Sequence, residues 1–318
     1  MNTEALNNNE KIKSLALIFK ASRIIKVLPV LFLIINGALV TGTIASIYPF
    51  FLPLVLVVAV AILGMQLNVI TDAQVDKKHK PYLFDWLMRD KKTSNSVFIF
   101  EIGVVILLLM IILKTQEIRV FLSLLMVSVL SILYSYNFFF MQNPAKYRLK
   151  LFWWGHMGTI WFSYFGLWFT GFLLGGHSAE GNLLMWMIFF LCLSLLDYAI
   201  FLCESSSDAI EEREFKYHTL PALLGGPKTC WFAFSIWGLA LFCFFTTLQY
   251  LPVERQKIVF LAFFPCIFVQ CVTVFLMIYL LGRKRNFKTL NKIIDCSFWS
   301  SRLATTFILL GEMLFNTH

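Results

Sequence analysis

Long apolar segments, separated by short polar ones, fill almost the whole chain. Nine of them have the apolar composition and the length of about 20 residues that a bilayer-spanning helix needs. They occupy residues 24–43, 48–70, 96–113, 119–140, 152–174, 183–203, 230–250, 258–281 and 294–315. The pattern predicts an all-α polytopic membrane protein, in which nine transmembrane helices form a single domain over residues 1–318 after a polar segment at residues 1–20.

Composition and charge add an orientation to this picture. Of the 318 residues, 59% are hydrophobic and 14% are charged, whereas soluble domains carry about 25% charged residues. The net charge is +9, and 22 of the 27 Lys and Arg residues flank the spans on the amino-terminal side, against four on the opposite side. Because cytoplasmic loops collect Lys and Arg, the N-terminus is predicted to be cytoplasmic and the C-terminus to lie on the opposite side. The basic excess is thus explained by topology and the lipid bilayer, and no nucleic-acid partner is expected.

Two triplets of oxygen-bearing side chains occur at the ends of predicted spans two and six, both on the predicted cytoplasmic side. The members of each triplet are four residues apart, so they line one face of a helix that continues past the membrane. The triplets are Asn68, Asp72 and Asp76, and Glu204, Asp208 and Glu212. Stacked carboxylates repel each other unless a cation is present, and oxygen-only ligands suit Mg²⁺, which usually binds one or two carboxylates together with substrate phosphates. The spacing therefore predicts a magnesium site built from these six side chains.

Basic residues accompany both triplets. Lys80 follows the first, Lys216 follows the second, and Arg148 and Lys150 lie in the cytoplasmic loop between them. These four cations are candidates to neutralise the oxygens of a diphosphate that the metal does not reach. A competing interpretation is that both triplets are solvated helix ends that only fix the topology. The equal spacing of two triplets on the same side favours the metal site.

The two triplets and the loop between them resemble the signatures of the UbiA-type intramembrane prenyltransferase superfamily. The family pattern NDxxDxxxD is similar to NVITDAQVD, with Val69 in place of the first aspartate, and KKHKPYL resembles the extension found in the homogentisate and chlorophyll-type branch. The second pattern, DxxxDxxxD followed by TLP, resembles residues 204–221, with glutamates at two positions and Lys216 where a glycine is usual. The loop LYSYNFFFMQNPAKYRLK resembles the family's loop of Tyr-Ser followed by Arg and Lys.

This resemblance implies a Mg²⁺-dependent transferase that moves an isoprenyl group from a prenyl diphosphate to a small-molecule acceptor, often aromatic, within the bilayer. Asp72 and Asp208, the central residues of the triplets, are then expected to be catalytic, and Tyr134, which lies in the matched loop, to face the substrate pocket. Mg²⁺ would draw off the negative charge that develops as the carbon–oxygen bond ionises. Active-site loops on the cytoplasmic side would keep the charged head of the donor near water and its tail in lipid.

Several ionisable residues lie inside the predicted spans. Asp197 precedes Glu204 by seven residues, which places it about 10 Å deeper along the helix, and an embedded acid is often functional. It is a candidate catalytic residue that orients the acceptor or takes the proton lost from an aromatic ring, with a structural hydrogen bond to a neighbouring span as the alternative. His156 is interpreted as a core histidine, and Glu101 and Arg302 as packing or pairing residues.

Two other functions compete with prenyl transfer. A terpene cyclase of the UbiA type would ionise the same donor, but a double bond of the donor's own chain would capture the cation. A membrane transporter would also place carboxylates in a helical bundle, yet transporter sites lie near the midplane at broken helices. The triplets lie instead at the ends of their spans, so transport is the least favoured function.

Overall fold

The fold is known from a computed structural model of the chain. It describes residues 24–40, 44, 46–72, 91–136, 147–176, 183–251, 253–282 and 287–315. Within these ranges only the backbone is described at residues 24–29, 70, 91–95, 208, 211, 281, 282, 287–293, 295–300 and 315.

The described backbone is almost entirely helical. Its α-helices are α1 (Ile24–Leu39), α2 (Tyr48–Thr71), α3 (Lys91–Thr115), α4 (Ile118–Ser135), α5 (Trp153–Gly175), α6 (Leu183–Ser205), α7 (Ala209–Glu214), α8 (Leu220–Leu224), α9 (Gly226–Leu248), α10 (Val253–Gly282) and α11 (Phe287–Phe315). Single 3₁₀ turns at Leu149–Leu151 and Ser206–Asp208 precede α5 and α7. The described residues contain one isolated β-bridge, between Phe152 and His218, and no strand.

The all-helical class predicted from the hydrophobic pattern is confirmed. Each predicted span overlaps one of the long helices, and seven described helices are long and apolar enough to cross a membrane, namely α2 to α6, α9 and α10. Helix α1 contributes a shorter apolar stretch, Val30–Leu39. The count of nine spans and the cytoplasmic position of the loops therefore remain predictions.

Helix α5 lies at the centre of the bundle. It packs against α1, α4 and α6, while α6 packs against α9 and α1 packs against α11. Helix α3 lies at the periphery, where it packs mainly on α2 and exposes large apolar side chains such as Ile99, Phe100 and Leu107. An exposed face of this composition is the one that lipid tails solvate, so α3 forms part of the lipid-facing surface.

The contact between α1 and α5 depends on two glycines. A Cβ atom on Gly37 would overlap the backbone carbonyl of Trp168, and one on Gly171 would overlap the backbone carbonyl of Ile34. Small residues allow two helix backbones to approach closely inside a membrane, where tight packing replaces the hydrophobic effect as the driving force. The two glycines therefore fix α1 against the central helix, and Val30 of α1 contributes to the cavity described next.

Candidate functional site

A cavity of about 330 Å³ opens within the bundle, between α2, α4, α5 and α6. Its wall on α2 runs from Val57 to Asn68, which corresponds to about 16 Å of helix at 1.5 Å per residue. Polar side chains from both predicted triplets and from the loop between them lie on the wall, namely Asn68, Glu204, Glu212 and Lys150. Deeper residues include Tyr134, His156, Tyr164 and Asp197. The cavity therefore joins charged helix ends to an apolar interior.

Asp72 is the centre of a group of charges at the end of α2. Its carboxylate accepts hydrogen bonds from Arg148 Nη2 at 2.6 Å and from Lys150 Nζ at 2.5 Å, and Lys150 also donates to Asn68 Oδ1 at 3.0 Å. The side chains of Asp72 and Arg148 are 8% and 2% exposed. Burial by itself opposes ionisation of the carboxyl, but Lys150 and Arg148 outweigh it and lower the pKa of Asp72 from 3.8 to about 2. Two cations thus surround one carboxylate.

Tyr217 completes this group. Arg148 Nη2 donates to its hydroxyl at 2.9 Å, and the hydroxyl donates to Asp72 Oδ1 at 3.3 Å. Burial, together with the Asp72 charge, raises the pKa of Tyr217 to about 12, so the phenol remains protonated at neutral pH. The guanidinium of Arg148 keeps two buried nitrogens, Nε and Nη1, without a hydrogen-bond partner among the described residues. We refer to Asn68, Asp72, Arg148, Lys150 and Tyr217 as the boundary cluster.

A helix-terminating turn brings Tyr217 to the boundary cluster. After α7, Tyr217 N donates to Glu212 O at 2.9 Å and Lys216 N donates to Arg213 O at 3.0 Å. This pair of bonds is the Schellman arrangement, in which the first residue after the helix adopts a left-handed conformation. Here that residue is Lys216, which has φ = 56°. The following residue, His218, exchanges backbone hydrogen bonds with the segment that starts α5. The turn therefore ties the end of the second triplet to the residues that hold the first.

A second group of charges lies inside the bundle around Asp197. The carboxylate pairs with Arg302 of α11, and it accepts hydrogen bonds from Trp168 Nε1 at 3.1 Å and from Gln270 Nε2 at 3.4 Å. The guanidinium carbon of Arg302 lies 5.1 Å from the centroid of the Trp168 ring. Asp197 and Arg302 are 0% and 1% exposed. We refer to Trp168, Asp197, Gln270 and Arg302 as the interior cluster.

Comparison with known proteins decides the family. A family model described as the UbiA prenyltransferase family matches residues 11–301 of the 318. The chain belongs to the UbiA prenyltransferase family. With seven strongly apolar helices in the described part of the chain, this UbiA protein is an integral multi-pass membrane protein. A search of curated proteins gives no match.

Solved UbiA structures share the fold. The chain is similar to a UbiA homolog from Archaeoglobus fulgidus bound to GPP and Mg²⁺, with a TM-score of 0.62, 15% identity and coverage of 92% of this chain and 99% of the homolog. A structure of digeranylgeranylglyceryl phosphate synthase gives a TM-score of 0.61, 18% identity and coverage of 94% and 99%. An apo UbiA homolog from Aeropyrum pernix K1 gives 0.57, 16% identity and coverage of 89% and 98%. At these identities the likeness establishes the UbiA fold.

The structure brings some of the predicted site residues of this UbiA protein together at the cavity, but not all of them. Asn68, Glu204, Glu212, Lys150, Tyr134 and Asp197 share the cavity, and Asp72 and Arg148 adjoin it through Lys150. Asp76 and Lys80 lie outside the described residues, and only the backbone of Asp208 is described. Lys216 is exposed and does not lie on the cavity wall. Among the side chains that the structure describes, no three acidic, histidine or cysteine groups are close enough to hold a metal on their own.

The TLP element has a structural role that its sequence match did not reveal. The hydroxyl of Thr219 donates to Glu212 Oε2 and also accepts from Ala222 N at 3.3 Å, which caps α8. Arg213 Nε donates to Ala222 O at 2.5 Å. Thr219 therefore orients the last carboxylate of the second triplet toward the cavity wall, where Glu212 is 9% exposed.

Sequence reasoning missed three partners. Tyr217 follows the charged α7 and gave no periodic signal, because its role depends on the turn at Lys216. Trp168 and Gln270 belong to apolar spans, and they were not connected with Asp197. Gln270 carried a usable signal, since an amide inside a span must find a polar partner in a neighbouring helix.

Proposed function

We propose that this protein transfers an isoprenyl group from a prenyl diphosphate to a small-molecule acceptor, in a Mg²⁺-dependent reaction within the membrane. The observation that carries the proposal is the cavity, because Asn68, Glu204, Glu212 and Lys150, which come from three separate segments, lie on one wall of it. The apolar remainder of the wall suits the chain of the donor. Family membership points to the same chemistry.

The donor atoms on the wall suit magnesium. Asn68 offers an amide oxygen, and Glu204 and Glu212 offer carboxylates, which are hard ligands of the kind that Mg²⁺ prefers. Asp72, Asp76 and Asp208 complete the proposed ligand set, although the carboxylate of Asp72 is shared with two cations. Since Mg²⁺ usually binds one or two carboxylates together with substrate phosphates, we expect the diphosphate to supply the remaining oxygens. A UbiA homolog has been solved with GPP and Mg²⁺ together.

The boundary cluster supplies the proposed diphosphate site. Arg148 and Lys150 carry two positive charges against the one negative charge of Asp72, so the cluster has one positive charge in excess. The two guanidinium nitrogens of Arg148 that lack a hydrogen-bond partner among the described residues provide donors for further oxygens. Lys80 and Lys216 remain proposed additional contacts. An anionic head group therefore fits the electrostatics of this cluster better than a neutral or cationic one.

The residues of the cavity and of the boundary cluster would divide the work of the reaction. Arg148 and Lys150 hold the diphosphate as the carbon–oxygen bond breaks and its electrons pass to the leaving group. Bound Mg²⁺ supplies additional stabilisation of that negative charge. The aromatic wall, including Tyr134, faces the allylic cation, and the apolar interior excludes water that would quench it.

We assign an aromatic compound as acceptor, because the KKHKPYL segment resembles the homogentisate-type branch. The digeranylgeranylglyceryl phosphate synthase has the same fold, and its name refers to a glyceryl phosphate product. Acceptor identity is therefore a separate part of the proposal from donor ionisation. We also propose that the cavity opens toward the cytoplasm, since 22 of the 27 basic residues lie on that predicted side.

Product analysis tests the function. Purified protein would be incubated with geranyl, farnesyl or geranylgeranyl diphosphate and Mg²⁺, with and without a panel of phenolic acceptors, and the extracts separated by chromatography and mass spectrometry. We expect a prenylated phenol that disappears with EDTA and returns when Mg²⁺ is added in excess. A hydrocarbon product formed without acceptor would instead identify a cyclase, and recovery of every donor unchanged would contradict both forms of the proposal.

A further inference from the structure

His156 lies in the second turn of α5, on the wall of the cavity. It is 4% exposed, yet the described residues provide no hydrogen-bond partner for its ring nitrogens. Its ring is surrounded by aromatic rings, at centroid distances of 5.8 Å to Tyr134, 5.3 Å to Phe201 and 6.2 Å to Tyr198. A histidine kept for packing in a core normally satisfies its nitrogens with protein groups. This one presents them to a cavity.

Resting on the function proposed above, we propose that His156 is the general base that removes the proton released during prenyl transfer. When the acceptor carbon bonds to C1 of the prenyl group, the C1–oxygen bond breaks and its electron pair leaves with the diphosphate. The acceptor must then lose one proton to regain its neutral ring. A neutral imidazole has one nitrogen lone pair that can accept it, and the imidazolium returns the proton to a diphosphate oxygen or to water at the mouth of the cavity.

The position of His156 suits this step. His156 lies six positions after Lys150, and both line the cavity wall, so the imidazole is close to the proposed diphosphate site but not part of it. Tyr134 and Phe201 flank the ring, and aromatic faces of this kind stabilise the cation whose capture precedes the proton loss. A base at this place is not one of the proposed metal ligands, so it does not compete for the metal.

The other titratable groups on the described wall are less suited to accept the proton. Asp197 is paired with Arg302 and accepts two further hydrogen bonds. Glu212 accepts a hydrogen bond from Thr219, and Glu204 belongs with it to the proposed metal ligands. The two tyrosines of the wall are weak bases while protonated, and the lysine is a cation. The proton-accepting role that the sequence allotted to Asp197 therefore fits His156 better.

Chemical rescue tests the role. In His156→Ala, product formation should fall at least 100-fold, because deprotonation loses its base and the cavity gains the volume of the imidazole ring. Added imidazole should raise the rate of this variant at least tenfold, and the increase should saturate with imidazole concentration. Pyrazole, which has the same shape but is a far weaker base, should restore none. Equal rescue by both rings would mean that the side chain only fills space, and would overturn the proposal.

Two further variants keep the test decisive. His156→Phe retains an aromatic ring against Tyr134 and Phe201 but has no basic nitrogen, so it should be as slow as His156→Ala and should not respond to imidazole. Tyr198→Phe is the matched control, because its ring packs edge-on against His156 and it does not line the cavity. It should keep turnover within twofold of the wild type. Turnover by His156→Phe above a third of the wild-type rate would overturn the proposal, whether or not the alanine variant assembles.

Binding separates this inference from the proposed function. A non-hydrolysable prenyl diphosphate analogue with Mg²⁺ should raise the melting temperature of His156→Phe as much as that of the wild type, because donor binding does not require the base. Loss of this stabilisation in the variant would place His156 in donor binding and overturn its assignment as base. Absence of any product from the wild type with every donor would overturn the proposed function and this inference with it.

Discussion

Among the side chains that the structure describes, two carboxylates are each paired with a buried arginine, and their surroundings differ. In the boundary cluster, Asp72 meets two cations, and Arg148 has hydrogen-bond donors that the described residues do not use. In the interior cluster, Asp197 meets one cation and takes its other hydrogen bonds from an indole and an amide. The first group carries an excess positive charge beside the cavity, and the second balances its charges.

This difference indicates different roles for similar pairs. An isolated charge is very costly in a bilayer interior, so the interior cluster must be neutral. Its Asp197–Arg302 pair meets this need, and the cluster joins α5, α6, α10 and α11. At the membrane boundary an incomplete, positively charged group can persist, because water and ligands reach it. The boundary cluster is therefore suited to binding and the interior cluster to holding helices together.

The largest expected effect comes from breaking the interior pair. Arg302→Met leaves the Asp197 carboxylate buried without its cation, which should lower the free energy of unfolding by about 3–5 kcal/mol. Adding Asp197→Leu in the same chain removes the remaining charge and should recover most of the loss. Both proteins would be compared by denaturant titration in detergent. A single variant as stable as the wild type would show that the pair does not hold the helices.

The next effect concerns the boundary cluster and turnover. Asp72→Asn removes the charge that positions Arg148 and Lys150 and should reduce product formation about 100-fold, or about 2.7 kcal/mol in activation free energy. Inorganic pyrophosphate should raise the melting temperature of this variant more than that of the wild type, because two cations are left without a carboxylate. Asp197→Asn is the matched control and should show no such response to pyrophosphate. Equal changes in melting temperature with pyrophosphate in the two variants would mean that the two clusters do not differ in anion binding.

The pH dependence of stability should be specific to the boundary carboxylate. Its pKa of about 2 lies below the ordinary 3.8, so the folded state favours the ionised form. This stabilisation is present above pH 3.8, declines as the pH falls toward 2, and amounts to about 2 kcal/mol. Denaturant titration would give the free energy of unfolding of wild type and Asp72→Asn at pH 5 and at pH 2. The difference between the two proteins should change by that amount between the two pH values. A constant difference would mean that the ion pairs of Asp72 add no net stability.

The smallest effect concerns the turn that carries Tyr217. Lys216 has a left-handed backbone conformation, which costs a residue with a Cβ about 1–2 kcal/mol. Glycine avoids this cost, but it also makes the unfolded chain more flexible, which offsets part of the gain in stability. Lys216→Gly should therefore stabilise the protein by about 0.5–1 kcal/mol, whereas Lys216→Ala should not. If Lys216 also contacts the diphosphate, both variants should raise the KM for the donor equally. Stability that is the same in both variants would contradict the role of the backbone.

The fold was largely predictable from the hydrophobic pattern, because a bilayer allows few alternatives to a bundle of apolar helices. The site was predictable in part. The members of each triplet are four residues apart, which indicated that they share one face of their helix. Asn68 from the first triplet and Glu204 from the second do line one cavity. The arrangement of the charges was not predictable, because spacing along a helix does not reveal that Arg148 and Lys150 donate hydrogen bonds to Asp72.

Pairing across the bundle was also beyond the sequence. Arg302 was expected to pack or pair, and it does pair with Asp197, but the choice of partner depends on how α6 and α11 meet. Glu101 likewise accepts a hydrogen bond from Gln66 at 2.9 Å. Local patterns identify which residues need a partner, whereas helix packing decides which partner each one finds.

The sequence separation of the paired residues also orders their assembly during synthesis. Asp72 precedes Arg148 by 76 residues and Tyr217 by 145, so at roughly 5–20 residues per second its last partner emerges about 7–29 s after it. Asp197 follows Trp168 by only 29 residues, and the indole is already in the membrane when the acid enters. Its cation, Arg302, follows Asp197 by 105 residues, so the indole is the partner available to the interior acid until then. Asp72 lies at the membrane boundary, where water can solvate it until Arg148 is made.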